Sequence, residues 1–226
     1  MIITIDGPAS SGKSTVAQAL AKKLHIPYLN SGLLFRALGY LLSTQGKYSI
    51  GDFSRIHKKD LQEYVNPERL SYKYDQNNTF RIMWDGEDIT PLLKDKKVDE
   101  YASLVGLNAI ARNKIAEIQH VVAKKNKNSL IVEGRDAGSF VFPDAKYKFF
   151  LKASLLVRAE RWQKSQAKRG HDYSLNLARE LLSERDRRDR LRPIAPLIIP
   201  QGAIVIDTSD FTIEQVIDEV LKIIKI

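Results

Sequence analysis

The 226-residue chain contains no cysteine. That absence excludes disulfide staples, thiolate nucleophiles and zinc or iron–sulfur centres built on sulfur, and it is compatible with a reducing compartment. No apolar run approaches the ~20 residues that span a bilayer as a helix. The opening MIITIDGP has no charged leader, apolar h-region or cleavage site, so a soluble, unprocessed, cytoplasmic protein with no membrane partner is expected. Internal repeats and low-complexity tracts are missing too. What remains, 43% hydrophobic and 28% charged residues, is the composition of an ordinary globular protein. Its length suits one domain carrying insertions.

Basic residues outnumber acidic ones by 36 to 27, a formal charge of +9, which points to a polyanionic partner. The densest arginine cluster, ERDRRDRLR at 184–192, interleaves carboxylates. A compact phosphate site fits that pattern better than a long duplex. The histidines at 25, 57, 120 and 171 show no ligand spacing, and Trp84 and Trp162 read as packing residues. KKNKN at 124–128 reads as an exposed helix end and loop.

Residues 2–6, IITID, form a short β-branched run, and behind it Val16, Ala17, Leu20, Ala21 and Leu24 share one helical face. LIVE (130–133), YKFFL (147–151) and AIVID (203–207) have the look of buried strands, with PYL (27–29) a candidate fifth. Helical patterns separate them, which predicts an α/β fold with a parallel sheet. A C-terminal helix is expected to place Ile213, Val216, Ile217, Val220, Leu221 and Ile224 on one face, behind a capping box of Thr212 and Gln215. Two stretches break the alternation. Leu70, Tyr72 and Tyr74, then Phe80, Ile82 and Trp84, alternate around QNNT as a β-hairpin, with GED at 86–88 beginning another turn. Residues 154–200 read as two charged helices punctuated by Gly170 and ended by Pro193, Pro196 and Pro200.

The segment Gly7-Pro8-Ala9-Ser10-Ser11-Gly12-Lys13-Ser14-Thr15 fits G-x-x-x-x-G-K-[ST] between a predicted strand and a predicted helix. Glycines let backbone N–H groups curl around phosphate oxygens, and the helix N-terminus adds its dipole. Lys13 reaches β- and γ-oxygens, and Ser14 ligates Mg²⁺. A bound ATP or GTP is therefore expected. The Asn-Lys pairs at 113 and 126 lack the aspartate of a guanine-reading NKxD motif, and the chain is short for a motor or helicase. A small-molecule kinase is favoured.

Two further patterns bear on the acceptor. Arg185, Arg188, Asp189 and Arg192 fall at i, i+3, i+4 and i+7, so one helix face would carry three guanidiniums and a carboxylate. Planar arginine forks suit transfer between two anions, although spacing alone fits a salt-bridged surface helix as well. Arg135 and Asp136 follow LIVE at its carboxyl end, where open parallel sheets bind ligands; a plain βα turn with a capping aspartate is the other reading.

Four blocks, GPASSGKST, NSGLLFR (30–36), EGRDAG with VFPDA (133–145) and RDRRDRLRPIAPL (185–197), resemble the bacterial-type cytidylate kinases, from the phosphate loop almost to the C-terminus. The resemblance implies a three-layer, doubly wound P-loop fold with a five-stranded parallel core (1–35, 106–153 and 196–226), an antiparallel monophosphate-binding insertion (36–105) and a helical lid (154–195). It implies transfer of the γ-phosphoryl group of ATP, with Mg²⁺, to CMP or dCMP by a monomer that engages no nucleic acid. Ser31, Arg36, Arg135 and Arg192 would hold the acceptor phosphate, Arg185 and Asp189 the ribose, and Ser103, Arg112 and Asp136 the cytosine edge. Gly32 and Gly134 complete the acceptor set. Lys13, Arg135, Arg188 and Arg192 form the catalytic set, and Arg158 and Arg161 join residues 7–15 at ATP. Asn30, Phe35 and Glu133 depart from the family's usual aspartate, tyrosine and aspartate. A UMP, AMP or shikimate-type kinase, or a nucleotide-gated nucleic-acid-binding protein, are the competing readings.

Overall fold

The computed structural model of the protein describes residues 1–74 and 80–224. In chain order the elements are β1 (Ile2–Asp6), α1 (Lys13–Leu24), β2 (Tyr28–Asn30), α2 (Ser31–Thr44), α3 (Lys58–Tyr64), β3 (Leu70–Tyr74), β4 (Phe80–Trp84), β5 (Glu87–Asp88), α4 (Lys96–Val105), α5 (Ala109–Lys125), β6 (Leu130–Gly134), β7 (Tyr147–Lys152), α6 (Leu155–Ala167), α7 (Leu175–Leu191), β8 (Ile204–Asp207) and α8 (Ile213–Ile224). A π-helical turn, Ala137–Val141, follows β6. All five expected strands join one sheet in the order β2-β6-β1-β7-β8, and β3-β4-β5 form a second, small one. The β1–β7 and β7–β8 pairs are parallel. Central β1 is buried beyond its first residue, and the strand order reverses beside it, where ligands of open α/β sheets bind.

The chain forms two compact units, residues 1–26 with 131–226, and residues 27–130. In the first, α1 packs on α8 through Val16, Ala17 and Leu20 on one helix and Val216, Ile217, Val220 and Ile224 on the other. Each valine, leucine or isoleucine among them contributes roughly 1.5–3 kcal/mol on full burial. The predicted capping box is present: Thr212 N–H donates to Gln215 Oε1 at 2.8 Å, and Gln215 N–H to Thr212 Oγ1 at 3.3 Å. Ile213, expected on the buried face, is 44% exposed. It stands in the first turn, before the helix reaches the core.

Three further expectations need correction. AIVID is not a buried strand: β8 is the last strand of the sheet, paired only with β7 in the given order, and of its residues only Ile206 is buried. The turn expected at GED is present but starts one residue earlier and is over by Glu87. Asp85 and Gly86, at φ 47° and 88°, form the tight turn, and Glu87–Asp88 are already β5, paired with Trp84 and Met83. Positive φ at both turn residues matches the twist of a two-residue hairpin. The QNNT turn between β3 and β4 lies outside the described residues, but the β3–β4 register, Leu70 opposite Trp84 and Tyr74 opposite Phe80, is that of a hairpin. Finally, Arg192 is not in α7. Pro193 follows it, and a residue before proline is driven from helical to extended backbone; Arg192 accordingly has φ −63° and ψ 140°.

Among the described residues no helix is long and apolar enough to cross a membrane. His25, His57, His120 and His171 are all exposed. Trp84 packs against Tyr64, and Trp162 against Tyr173.

Candidate active site

In the first unit the phosphate loop follows β1 without a spacer. A Cβ at Gly7 would lie 2.1 Å from the Leu151 carbonyl oxygen, so only glycine lets the chain leave the strand here. Ser10 and Gly12 both take positive φ, 59° and 91°, which curls the loop into a concavity of N–H groups at the start of α1. No acidic residue stands in the helix's first turn, leaving its positive end to an anion. Lys13 is buried and folds back to donate from Nζ to the Pro8 carbonyl at 3.1 Å. Burial, helped by the Arg135 guanidinium and opposed by Glu133, lowers its ammonium to about 7.

The arginine-rich segment divides by face. Outward, Arg187 pairs with Glu184 at 2.8 Å in solvent, the bland surface pair that spacing allowed. Inward, Asp186 makes a buried ion pair of 2.8 Å with Arg158 of α6. Toward the carboxyl end of β6, Asp189 accepts from Arg135 Nε at 3.0 Å and lies 3.4 Å from Arg192 Nη1. Arg192 Nη2 stands 3.7 Å from Asp136 Oδ1. Burial pushes the Asp189 carboxyl up, but Arg135, Arg185 and Arg192 outweigh it and hold it below the usual range. Arg185 and Arg188 are half-buried on the same helix, with Arg188 Nε 3.6 Å from Glu184. Arg135, Asp136, Asp189 and Arg192 therefore form one network of alternating charge. Although Arg192 has left the helix, its side chain still reaches the place that the i+7 spacing predicted.

Arg158 and Arg161 are both engaged with protein. Beyond Asp186, Arg158 donates to the carbonyls of Ala153 at 3.1 Å and of Ala9, inside the phosphate loop, at 3.3 Å. Ala9 packs with Ala159, Ala178 and Leu182 of α6 and α7. Arg161 donates to Thr208 Oγ1 and to its carbonyl, and Thr208 Oγ1 in turn donates to the Ser11 carbonyl at 3.0 Å. The two arginines tie α6 to the backbone of the phosphate loop. Thr208 was invisible to motif reading, because it follows an ordinary strand with no distinguishing spacing.

In the second unit, Asn30 stands at the N-cap position of α2 without a side-chain cap bond, and Ser31 and Gly32 open the helix. Their N–H groups stand in the first turn, at the positive end of the helix that attracts anions. One turn on, Arg36 forms an ion pair with Asp99 of α4 and donates to the Leu93 carbonyl at 3.1 Å. Arg112 of α5 is buried with its guanidinium 4.9 Å from the Phe35 ring centroid, a cation–π distance. Ser103 Oγ of α4 is buried without a hydrogen-bond partner. Each unit thus presents cations or donors suited to a phosphorylated ligand.

A profile of the Cytidylate kinase family matches residues 3–226. The cytidylate kinase of Thermodesulfovibrio yellowstonii is 37% identical over 221 residues, 98% of this chain and 96% of that protein. The cytidylate kinase of Thermotoga maritima is 37% identical over 227 residues, 99% and 96% of the two chains. Among solved structures, an uncharacterized protein from Eubacterium ventriosum superimposes with a TM-score of 0.53 at 14% identity, covering 100% of this chain and 98% of that one; that likeness is one of fold. The profile spans nearly the whole chain, phosphate loop and arginine network alike, and with it the chain belongs to the cytidylate kinase family.

Proposed function

We propose that this protein transfers the γ-phosphoryl group of ATP to CMP, and to dCMP as a second acceptor, giving ADP and CDP or dCDP in pyrimidine nucleotide metabolism. The observation that carries the reading is the end-to-end family match. Residues 7–15 take the donor phosphates. Lys13, Arg135, Arg188 and Arg192 supply the positive charge that phosphoryl transfer requires, since the protein's part is positioning and electrostatics rather than covalent chemistry. Arg158 and Arg161 act on ATP through the loop backbone they hold.

Within residues 27–130, the start of α2 (Ser31, Gly32) and Arg36 are assigned to the acceptor phosphate, and Ser103 and Arg112 to the cytosine edge. Within the other unit, Gly134, Arg135 and Arg192 are assigned to phosphate, Arg185 and Asp189 to the ribose, and Asp136 to the base. Asp189 is spent on two arginines, so ribose binding has to share or displace those contacts. Residues 36–105 are assigned as the monophosphate-binding insertion. Residues 154–195 are assigned as a lid whose closure excludes water and suppresses hydrolysis of ATP. The protein acts as a cytoplasmic monomer.

Mg²⁺ suits the oxygen donors here. Ser14 opens α1 directly after Lys13, and Glu133 ends buried at the close of β6, a hydroxyl and a carboxylate of the kind that hold this cation and its waters. When bound, it would neutralise charge on the phosphate oxygens.

An acceptor panel of CMP, dCMP, UMP, AMP and shikimate, each with ATP, tests the proposal by ADP formation. CMP and dCMP are expected to drive it. ADP release driven by another acceptor in preference to CMP would overturn it.

A further inference from the structure

Asp6 carries no motif role, yet it occupies a demanding position. It ends β1 directly before Gly7 and is fully buried. Both carboxylate oxygens accept backbone hydrogen bonds from the turn just past Arg135 and Asp136: Ala137 N–H donates to Oδ1 at 2.8 Å, and Gly138 N–H to Oδ2 at 2.7 Å. Asp136 stands at the N-cap position of that turn, but its side chain makes no cap bond and faces Arg192 instead. The cap is supplied from another strand, 131 residues away in sequence. Gly138 matches this arrangement. A Cβ there would come within 2.6 Å of Thr4 Oγ1 and 3.2 Å of Asp6 Oδ2.

We propose that Asp6 is a positioning residue for phosphoryl transfer: its carboxylate fastens the Arg135–Asp136 turn to the strand that bears the phosphate loop, fixing the Arg135 guanidinium relative to the donor phosphates. A misplacement of about 1 Å costs on the order of a hundredfold in rate, and two charge-assisted bonds from one rigid carboxylate hold such a turn. Burial pushes the Asp6 carboxyl up to about 7; the Gly138 and Ala137 amides and the Arg135 guanidinium pull it down, and Asp136 pushes it up. A protonated oxygen is a poor acceptor, so the fastening weakens as pH falls through about 7.

The proposal rests on the reading of Arg135 as a phosphate-holding cation, and a double-mutant cycle separates the two. D6N, R135A and D6N/R135A are assayed with ATP and CMP across pH, with thermal denaturation of each. D6N is expected to lower kcat by roughly tenfold to a hundredfold, with a smaller change in KM for ATP, and to lose the acid limb near pH 7. The double variant should be no slower than R135A. Losses of D6N and R135A that multiply in the double variant, or an unchanged kcat and pH profile in folded D6N, would overturn the proposal while leaving the role of Arg135 intact. R135A with wild-type turnover of CMP would remove both readings. If D6N does not fold, NMR of the wild-type protein decides. The amides of Ala137 and Gly138 and the Arg135 Nε–H should titrate with one midpoint, and an Arg135 signal that ignores the titration would overturn the idea.

Discussion

Lys13 keeps little of its usual basicity. Burial and then Arg135 bring it to about 7 from the ordinary 10.5 of a lysine. Between those values the unfolded chain holds a proton that the folded chain does not, so this group's contribution to stability grows as pH rises across the window. Polyphosphate would restore the charge. ATP binding at pH 8 should therefore take up protons, an uptake that K13A loses; calorimetry in buffers of different ionisation enthalpy reads this, and buffer-independent heats would contradict it. Turnover by K13A should nearly vanish with the fold intact by circular dichroism. Arg192 differs, being buried between two carboxylates. R192A removes a buried cation shared by Asp136 and Asp189, which costs on the order of 3–5 kcal/mol when one partner of a buried pair is lost, and should damage handling of CMP as well. An unchanged kcat and KM for CMP would count against its assignment.

At the scale of elements, α6 and α7 are joined by a buried ion pair as well as by apolar packing. D186A should lose about 3–5 kcal/mol in urea denaturation, because it strands the Arg158 charge. Replacing both partners, as R158M/D186L, should recover most of that loss. A D186A protein as stable as the wild type would show that water reaches the pair. Local chemistry made much of this layout legible in advance. The strand cores, the Thr212–Gln215 box and the GKS loop each carry their signal within a few residues. The contacts that escaped are those made across the chain. Asp6 looked like one more strand residue until its partners 131 positions away appeared, and β8 read as buried because apolar content says nothing of whether a strand lies at a sheet's edge. Arg192 shows the middle case. Its spacing predicted its company correctly, but helix periodicity was the wrong reason once Pro193 ended α7.

For the whole molecule, the formal +9 invited a nucleic-acid reading, yet the inward carboxylates of the most arginine-dense segment, Asp186 and Asp189, are paired with Arg158, Arg135 and Arg192. What such a network leaves for a ligand is local and compact, as a nucleotide requires. Family membership agrees, and the choice among nucleotides falls to the base-reading groups. The base contacts proposed above pair a carboxylate with the exocyclic amino donor of cytosine and a guanidinium with its acceptors at N3 and O2. Uracil reverses donor and acceptor at those edges and would leave buried groups unpaired, at a cost of about 1–3 kcal/mol for each. The ratio of kcat/KM for CMP to that for UMP, with ATP saturating, measures this directly. A single unpaired group already predicts a preference for CMP of about fivefold to a hundredfold and more for two, whereas equal values for the two nucleotides would contradict the account.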